Sequence, residues 1–139
     1  MAVYSDSFSF ETAKGTDIVD ITSRILDTIK SSCIANGIVC VFSPGSTGAI
    51  TTIEYEPDLT HDLGSALERM IPEFIEYRHN ERWHDGNGHS HVRASLIGQS
   101  VSFPLIDGNI PLGIWQQVIY LNLDNRPRTR KVIVQVVGD

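Results

Sequence analysis

The sequence predicts an α+β fold: a largely antiparallel sheet or β-sandwich with two helices packed on it. Two observations carry this. About seven or eight segments have strand length and composition, while only two stretches space their apolar residues by three and four. The helical stretches do not alternate with strands in βαβ fashion, which excludes a doubly wound parallel sheet, and no internal repeat points to a solenoid. A length of 139 residues suits one domain, 1–139. With 41% hydrophobic and 20% charged residues the chain can bury a core, so disorder is excluded. The net charge of −6 argues against a surface that binds nucleic acid by displacing counterions.

Residues 3–10 place Tyr4, Phe8 and Phe10 at even positions among serines, the pattern of a strand. Thr16 or Asp17 then caps a helix over about 17–35, whose stripe is Ile18, Ile21, Ile25, Leu26, Ile29 and Cys33, ended by Asn36-Gly37. IVCVF (38–42) is a continuous apolar run of strand length. The loop SPGSTG (43–48) offers hydroxyls and backbone N–H groups to an anion, although no Lys follows its glycine as a Walker loop requires. AITTIEYE (49–56) is a β-branched strand, and Thr60 caps a second helix with Leu63, Ala66, Leu67, Met70 and Ile71 on one side. Beyond residue 100, Asp107-Gly108-Asn109 turns a hairpin between 100–106 and 108–113. Ile114–Asp124 and KVIVQVV (131–137) are further strands, joined by a turn in which Arg126, Arg128 and Arg130 read as solvated charges, with a phosphate clamp as the alternative. Gln116 and Gln117, beside Trp115 on a strand, point to a site or an interface because buried amides need partners. Cys33 and Cys40 lack metal or redox spacing and read as buried thiols of a reduced compartment. No export signal or membrane-length apolar run is present, so a cytoplasmic protein is expected.

The chemistry concentrates in residues 77–95, YRHNERWHDGNGHSHVRAS, which hold four of the five histidines. Asp85-Gly86 and Asn87-Gly88 predict a tight loop, and HSHVRASLI alternates as a strand would, with His89, His91, Arg93 and Ser95 on one face. Histidines at i and i+2 on a strand can share a divalent ion, Zn²⁺ first among candidates, with His79, Glu81, His84 or Asp85 supplying a third ligand. Equally, the histidines can bind a ligand through hydrogen bonds without metal.

The string Trp83–Ser95, together with Asp107-Gly108, Leu112–Gln117, the Arg126–Arg130 turn and PGSTGAITTIEYEPDL, resembles the YjbQ-like family of small single-domain proteins, called secondary thiamine-phosphate synthases. That resemblance implies an α+β sandwich forming a homotrimer. It also implies weak joining of a thiazole phosphate to a pyrimidine pyrophosphate, usually with a divalent metal (Zn²⁺ or Mg²⁺) beside the leaving group. On this reading His84, Asp85, His89 and His91 are catalytic candidates and His79, His89 and His91 metal ligands. Arg93, Ser95, Ser46, Thr47 and Gln116 would meet a small phosphorylated metabolite. Many relatives place a histidine before the loop hydroxyls where this chain has Gly45, which favours two histidines plus Asp85 or Glu54 over three histidines. The alternative function is a non-catalytic protein that holds a metal or an anion.

Overall fold

A computed structural model describes residues 1–139. Seven strands, β1 (Ala2–Thr12), β2 (Asp17–Asp20), β3 (Gly37–Phe42), β4 (Gly48–Glu54), β5 (Ser100–Leu105), β6 (Gln116–Asn122) and β7 (Arg128–Gly138), form two antiparallel sheets, ordered β1-β7-β3-β5 and β2-β6-β4. The helices are four, not two: α1 (Thr22–Ser32), α2 (Pro57–Met70), α3 (Arg78–Trp83) and α4 (Gly88–Ile97).

Strand β6 explains the layering. Its even residues Val118 and Tyr120 enter the main core with Phe8, Val39, Val41, Val132, Val134 and Val136 of the larger sheet, and α1 adds Ile25 and Ile29. Its odd residues Ile119 and Leu121, with Leu123, form a second core with Ala49, Leu67 of α2 and Ala94 of α4. Both faces are covered, so this strand reads as a nearly continuous apolar run. Each fully buried Ile or Leu here contributes about 1.5–3 kcal/mol. The outer face of the larger sheet has no helix over it and exposes Val3, Ile38 and Phe42.

Four local expectations change. Asp17–Asp20 pairs with β6 as a short strand, so the first helix begins only at Thr22. The second starts at Pro57, where Glu56 rather than Thr60 is the cap and accepts from Asp58 N and Leu59 N. Asp107-Gly108 turns as expected, but only the single bridge Ile106–Asn109 follows it, not a paired strand. Cys33 is exposed: it ends α1 in the left-handed region, φ 57°, a position that turns the residue off the buried stripe. No helix is long and apolar enough to cross a membrane.

Candidate functional site

The main correction lies in the histidine-rich segment. HSHVRASLI is the helix α4, not a strand. Successive helical residues turn by about 100°, so His89 and His91 lie roughly 200° apart instead of side by side. The alternation of Val92, Ala94 and Leu96 suggested one buried face, yet Val92 and Leu96 are exposed and only Ala94 reaches the core. What α4 buries follows helical spacing: Ser90 with Ala94, and His89 with Arg93. Gly88 lets the helix begin against Tyr77, since a Cβ there would stand 2.6 Å from the tyrosine's own Cβ.

This turn separates the proposed ligands. His89 is buried beside the Tyr77 ring, whereas His91 is half-buried with its ring 4.6 Å from that of His79. No group of three or more His, Cys, Asp or Glu side chains is placed to hold a metal ion, so the set His79, His89, His91 does not fit one. Glu54, at the far end of β4, does not join them. His84 caps α3 in the left-handed region, φ 56°, and its side chain is exposed.

Arg93 is no free phosphate ligand. It is buried, with Nε and Nη2 donating to the Ile71 carbonyl at 3.0 and 2.8 Å and Nη2 also to Glu68 at 2.7 Å. It ties α4 to the end of α2. Ser95 donates its hydroxyl to the His91 carbonyl at 2.8 Å, and Ser46 is exposed. Gln116 donates to Thr52 and accepts from Gly113 N. It pairs with Glu54 at one end of β6, while Thr47 adjoins the Gly48–Asn122 pair at the other, six residues or about 20 Å away. Within one chain Gln116 and Thr47 therefore cannot serve one small ligand.

The structure assembles a different set, centred on Asp124. This carboxylate is fully buried and accepts from Arg128 Nε and Nη2 at 2.8 Å each, Asn125 N at 2.8 Å and the Thr47 hydroxyl at 3.1 Å. Burial pushes the Asp124 carboxyl up, but these donors outweigh it and hold the group below its ordinary range. Thr47 also accepts from Arg130, which is buried and bonded to Asn122 rather than solvated. Toward α3, Asn125 donates to the Asp85 carbonyl at 2.8 Å, and the amide of buried Asn87 lies 3.0 Å from His79 Nε2 and 3.5 Å from Asp124 Oδ1. His79 Nε2 also stands 3.3 Å from Asp85 Oδ2. Asn87, Asp124 and Asn125 are not among the site residues the sequence suggests, and Arg128 enters there only as part of an alternative phosphate clamp. A carboxylate directly after the buried run IYLNL was the available signal, since a charge there must be paired.

A cavity of about 510 Å³ lies elsewhere, between the end of α1 and the turn at Asp107–Asn109. No comparable buried polar network stands behind it, so we place the site by chemistry rather than by volume.

His89 gives a pH prediction. Burial, then the Arg93 charge, lowers its pKa below the usual value, with Glu73, Glu68 and Asp124 opposing. Above about pH 6.5 the ring is neutral in folded and unfolded chains alike. As pH falls below that value the unfolded chain gains a proton that the folded chain resists. Stability should therefore drop by up to about 1.4 kcal/mol per pH unit until the folded ring protonates. Urea midpoints between neutral and mildly acid pH should show this slope, and His89→Gln should flatten it; an unchanged slope would show that His89 is not its source.

Comparison with known proteins fits this geometry into a family. The model for UPF0047 protein YjbQ-like matches residues 6–139. The chain belongs to the YjbQ-like UPF0047 family. A UPF0047 protein of Methanothermobacter thermautotrophicus is 41% identical over 138 residues, covering 99% of this chain and 94% of that protein. Among solved structures, a YbjQ-like protein of unknown function from Sulfolobus solfataricus superposes with a TM-score of 0.94 at 30% identity, covering 99% of both chains. An uncharacterised conserved YjbQ/UPF0047 protein from Clostridium acetobutylicum gives 0.87 at 32% identity, covering 95% of this chain and 99% of the other. The YjbQ-like fold thus accounts for essentially the whole chain, and the Asp124 network is built within it.

Proposed function

We propose that this YjbQ-like protein is a small-molecule enzyme acting on phosphorylated metabolites, with thiamine-phosphate synthase as its test reaction. One observation carries the reading: the His79–His91 pair is partly open to solvent and backed by a polar network drawn from three chain segments, around Thr47, Asp85–Asn87 and Asn122–Arg130. Packing does not require such a network, and burying its charges costs free energy unless they are paired. Pre-ordered polar groups behind a histidine are what proton transfer needs. His79, oriented by Asp85 and Asn87, moves the proton, and His91 lies beside it. The hydroxyl of Ser46 and the outward side of the partly exposed Arg128 are the donors available to phosphate oxygens.

In the test reaction the thiazole nitrogen bonds to the pyrimidine methylene carbon as the carbon–oxygen bond breaks, and pyrophosphate leaves with the bonding pair, its departing oxygen taking a proton from His79, which regains one from solvent. Pyrophosphate release from the two precursors, above background and dependent on His79, would support the enzyme. Binding of both precursors without release, with or without divalent ions, would instead favour a protein that only holds anions.

The homotrimer is part of the same proposal. Its support is the outer face of the larger sheet, where the cross-strand rows Val3–Val137–Ile38–Pro104 and Ser7–Ile133–Phe42–Ser100 carry no charge. Neither does the row between them, Ser5–Gln135–Cys40–Ser102. An uncharged, partly apolar patch, bounded by the Ser9–Lys131 row, suits contact with another copy. Light scattering at micromolar concentration should give a trimer mass; a monomer mass would remove this part of the proposal.

A further inference from the structure

Arg130 carries a buried charge for which the protein supplies no counter-charge. It is 7% exposed, and it stands on β7 of the larger sheet while bonding to Asn122 of β6 in the smaller one. Its Nε donates to Asn122 Oδ1 at 3.1 Å. Nη2 donates to the same oxygen and to the Thr47 carbonyl and hydroxyl, at 3.1 and 3.0 Å. Those acceptors are neutral, and so is the Tyr120 ring 5.7 Å from Cζ. Asp124, the carboxylate of this network, is paired with Arg128, and Arg130 makes no ion pair. A buried guanidinium is costly without a partner, so this one calls for an anion from outside the chain.

Nη1 gives the direction. It makes no hydrogen bond within the protein and, unlike the sealed Tyr120 hydroxyl, is reached by solvent. It faces the loop 43–48, where a Cβ placed on Gly45 would stand 3.6 Å from it. The N–H groups of Gly45, Ser46 and Thr47 have no acceptor in the protein, and Gly45 holds φ 124°, which glycine adopts without strain. Three successive free N–H groups opposite a guanidinium nitrogen form a concavity of donors suited to an oxyanion.

We propose that Arg130 Nη1 and the N–H groups of Gly45, Ser46 and Thr47 bind the terminal phosphate of a phosphate monoester. Donors on two sides suit the three terminal oxygens of a tetrahedral phosphate better than the two of a planar carboxylate. Ser46 is exposed, so the ester side of the group has an exit to solvent. Thr47 meets Asp124 at Oδ2, whereas Asn87, which leads to His79, meets it at Oδ1. A phosphate in the loop is thus set apart from His79 by Asp124 and Asn87, and it anchors the ligand. That the ligand is a substrate rests on the enzyme reading; the cradle itself does not.

The test titrates inorganic phosphate, ethyl phosphate and, as a planar control, acetate into the ¹⁵N-labelled full-length protein at constant pH and ionic strength. Both phosphates should saturably shift the Gly45, Ser46 and Thr47 amides and the Arg130 Nε–H, with acetate weaker by about tenfold or more. Ser46→Asp puts a negative charge on the rim at an exposed position, and should weaken both phosphates about tenfold or more with the fold intact. Arg130→Gln should abolish the loop shifts; if it does not fold, Ser46→Asp decides. Acetate bound as tightly, inorganic phosphate bound with ethyl phosphate excluded, an unmoved Arg130 signal, or unchanged affinity in Ser46→Asp would each overturn the inference. The titration needs no turnover. Phosphate held in the loop without pyrophosphate release would leave the cradle standing and remove the enzyme, and His79-dependent release with a silent loop would do the reverse.

Discussion

Asp124→Ala should cost the fold about 2–4 kcal/mol, measured as a lowered urea midpoint with an unchanged slope. The substitution strands the Thr47 hydroxyl and Asn125 N–H without their acceptor, and releases the Arg128 guanidinium. The loss stays below that of a fully enclosed ion pair, because Arg128 is 40% exposed and can turn to water. The same variant should lose part of the parent's acid sensitivity. The folded carboxyl is held below its ordinary range, so it contributes stability above the unfolded value of about 3.9, lost as pH falls through the folded value. A loss under about 0.5 kcal/mol, the range of an ordinary surface change, would show that Asp124 does not tie these segments together.

His79→Gln should leave stability within about 1 kcal/mol of the parent, since the ring is a third exposed, while lowering pyrophosphate release roughly 10²–10⁴-fold. Glutamine keeps polar atoms near Asp85 and Asn87 but has no nitrogen that gains and loses a proton near neutral pH. His89→Gln should behave in the opposite way, changing stability and its pH slope more than turnover, because His89 is buried against Tyr77 and away from the His79–His91 pair. Equal turnover in His79→Gln and parent would take His79 out of the chemistry.

The contrast between the two histidines shows what was legible in the sequence and what was not. Long periodic segments declared themselves: the stripe through Ile25 and Ile29, the strand IVCVF and the run beneath α2 and α4 all lie where their spacing places them. The α+β class followed from their order. The segment 88–97 misled because its apolar residues alternate while its buried ones do not. Ser90 and Ala94 face the sheet as small residues and leave little hydropathy signal, and Val92 and Leu96 point outward. Once that period was read as two, His89 and His91 became neighbours and a metal followed.

Thr47 was singled out for its hydroxyl and does stand in the network, though it is turned to Asp124 and Arg130. Arg130 looked like part of a solvated turn because its nearest sequence neighbours are exposed or charged. Its burial comes from the Gly48–Asn122 pairing of β4 and β6, a contact between segments more than seventy residues apart. Asn87 read as a turn residue but stands at the N-cap of α4, and nothing local reveals that its side chain would meet Asp124 across the fold.

The most direct test of the central claim is to map inorganic pyrophosphate onto the ¹⁵N-labelled protein by amide chemical shifts. The account predicts saturable changes centred on Ser46–Thr47, His79, Asp85–Asn87, His91 and Asp124–Arg128. Changes confined to the groove at the end of α1, around Lys30, Cys33 and Asp107, or no saturable change at all, would contradict it.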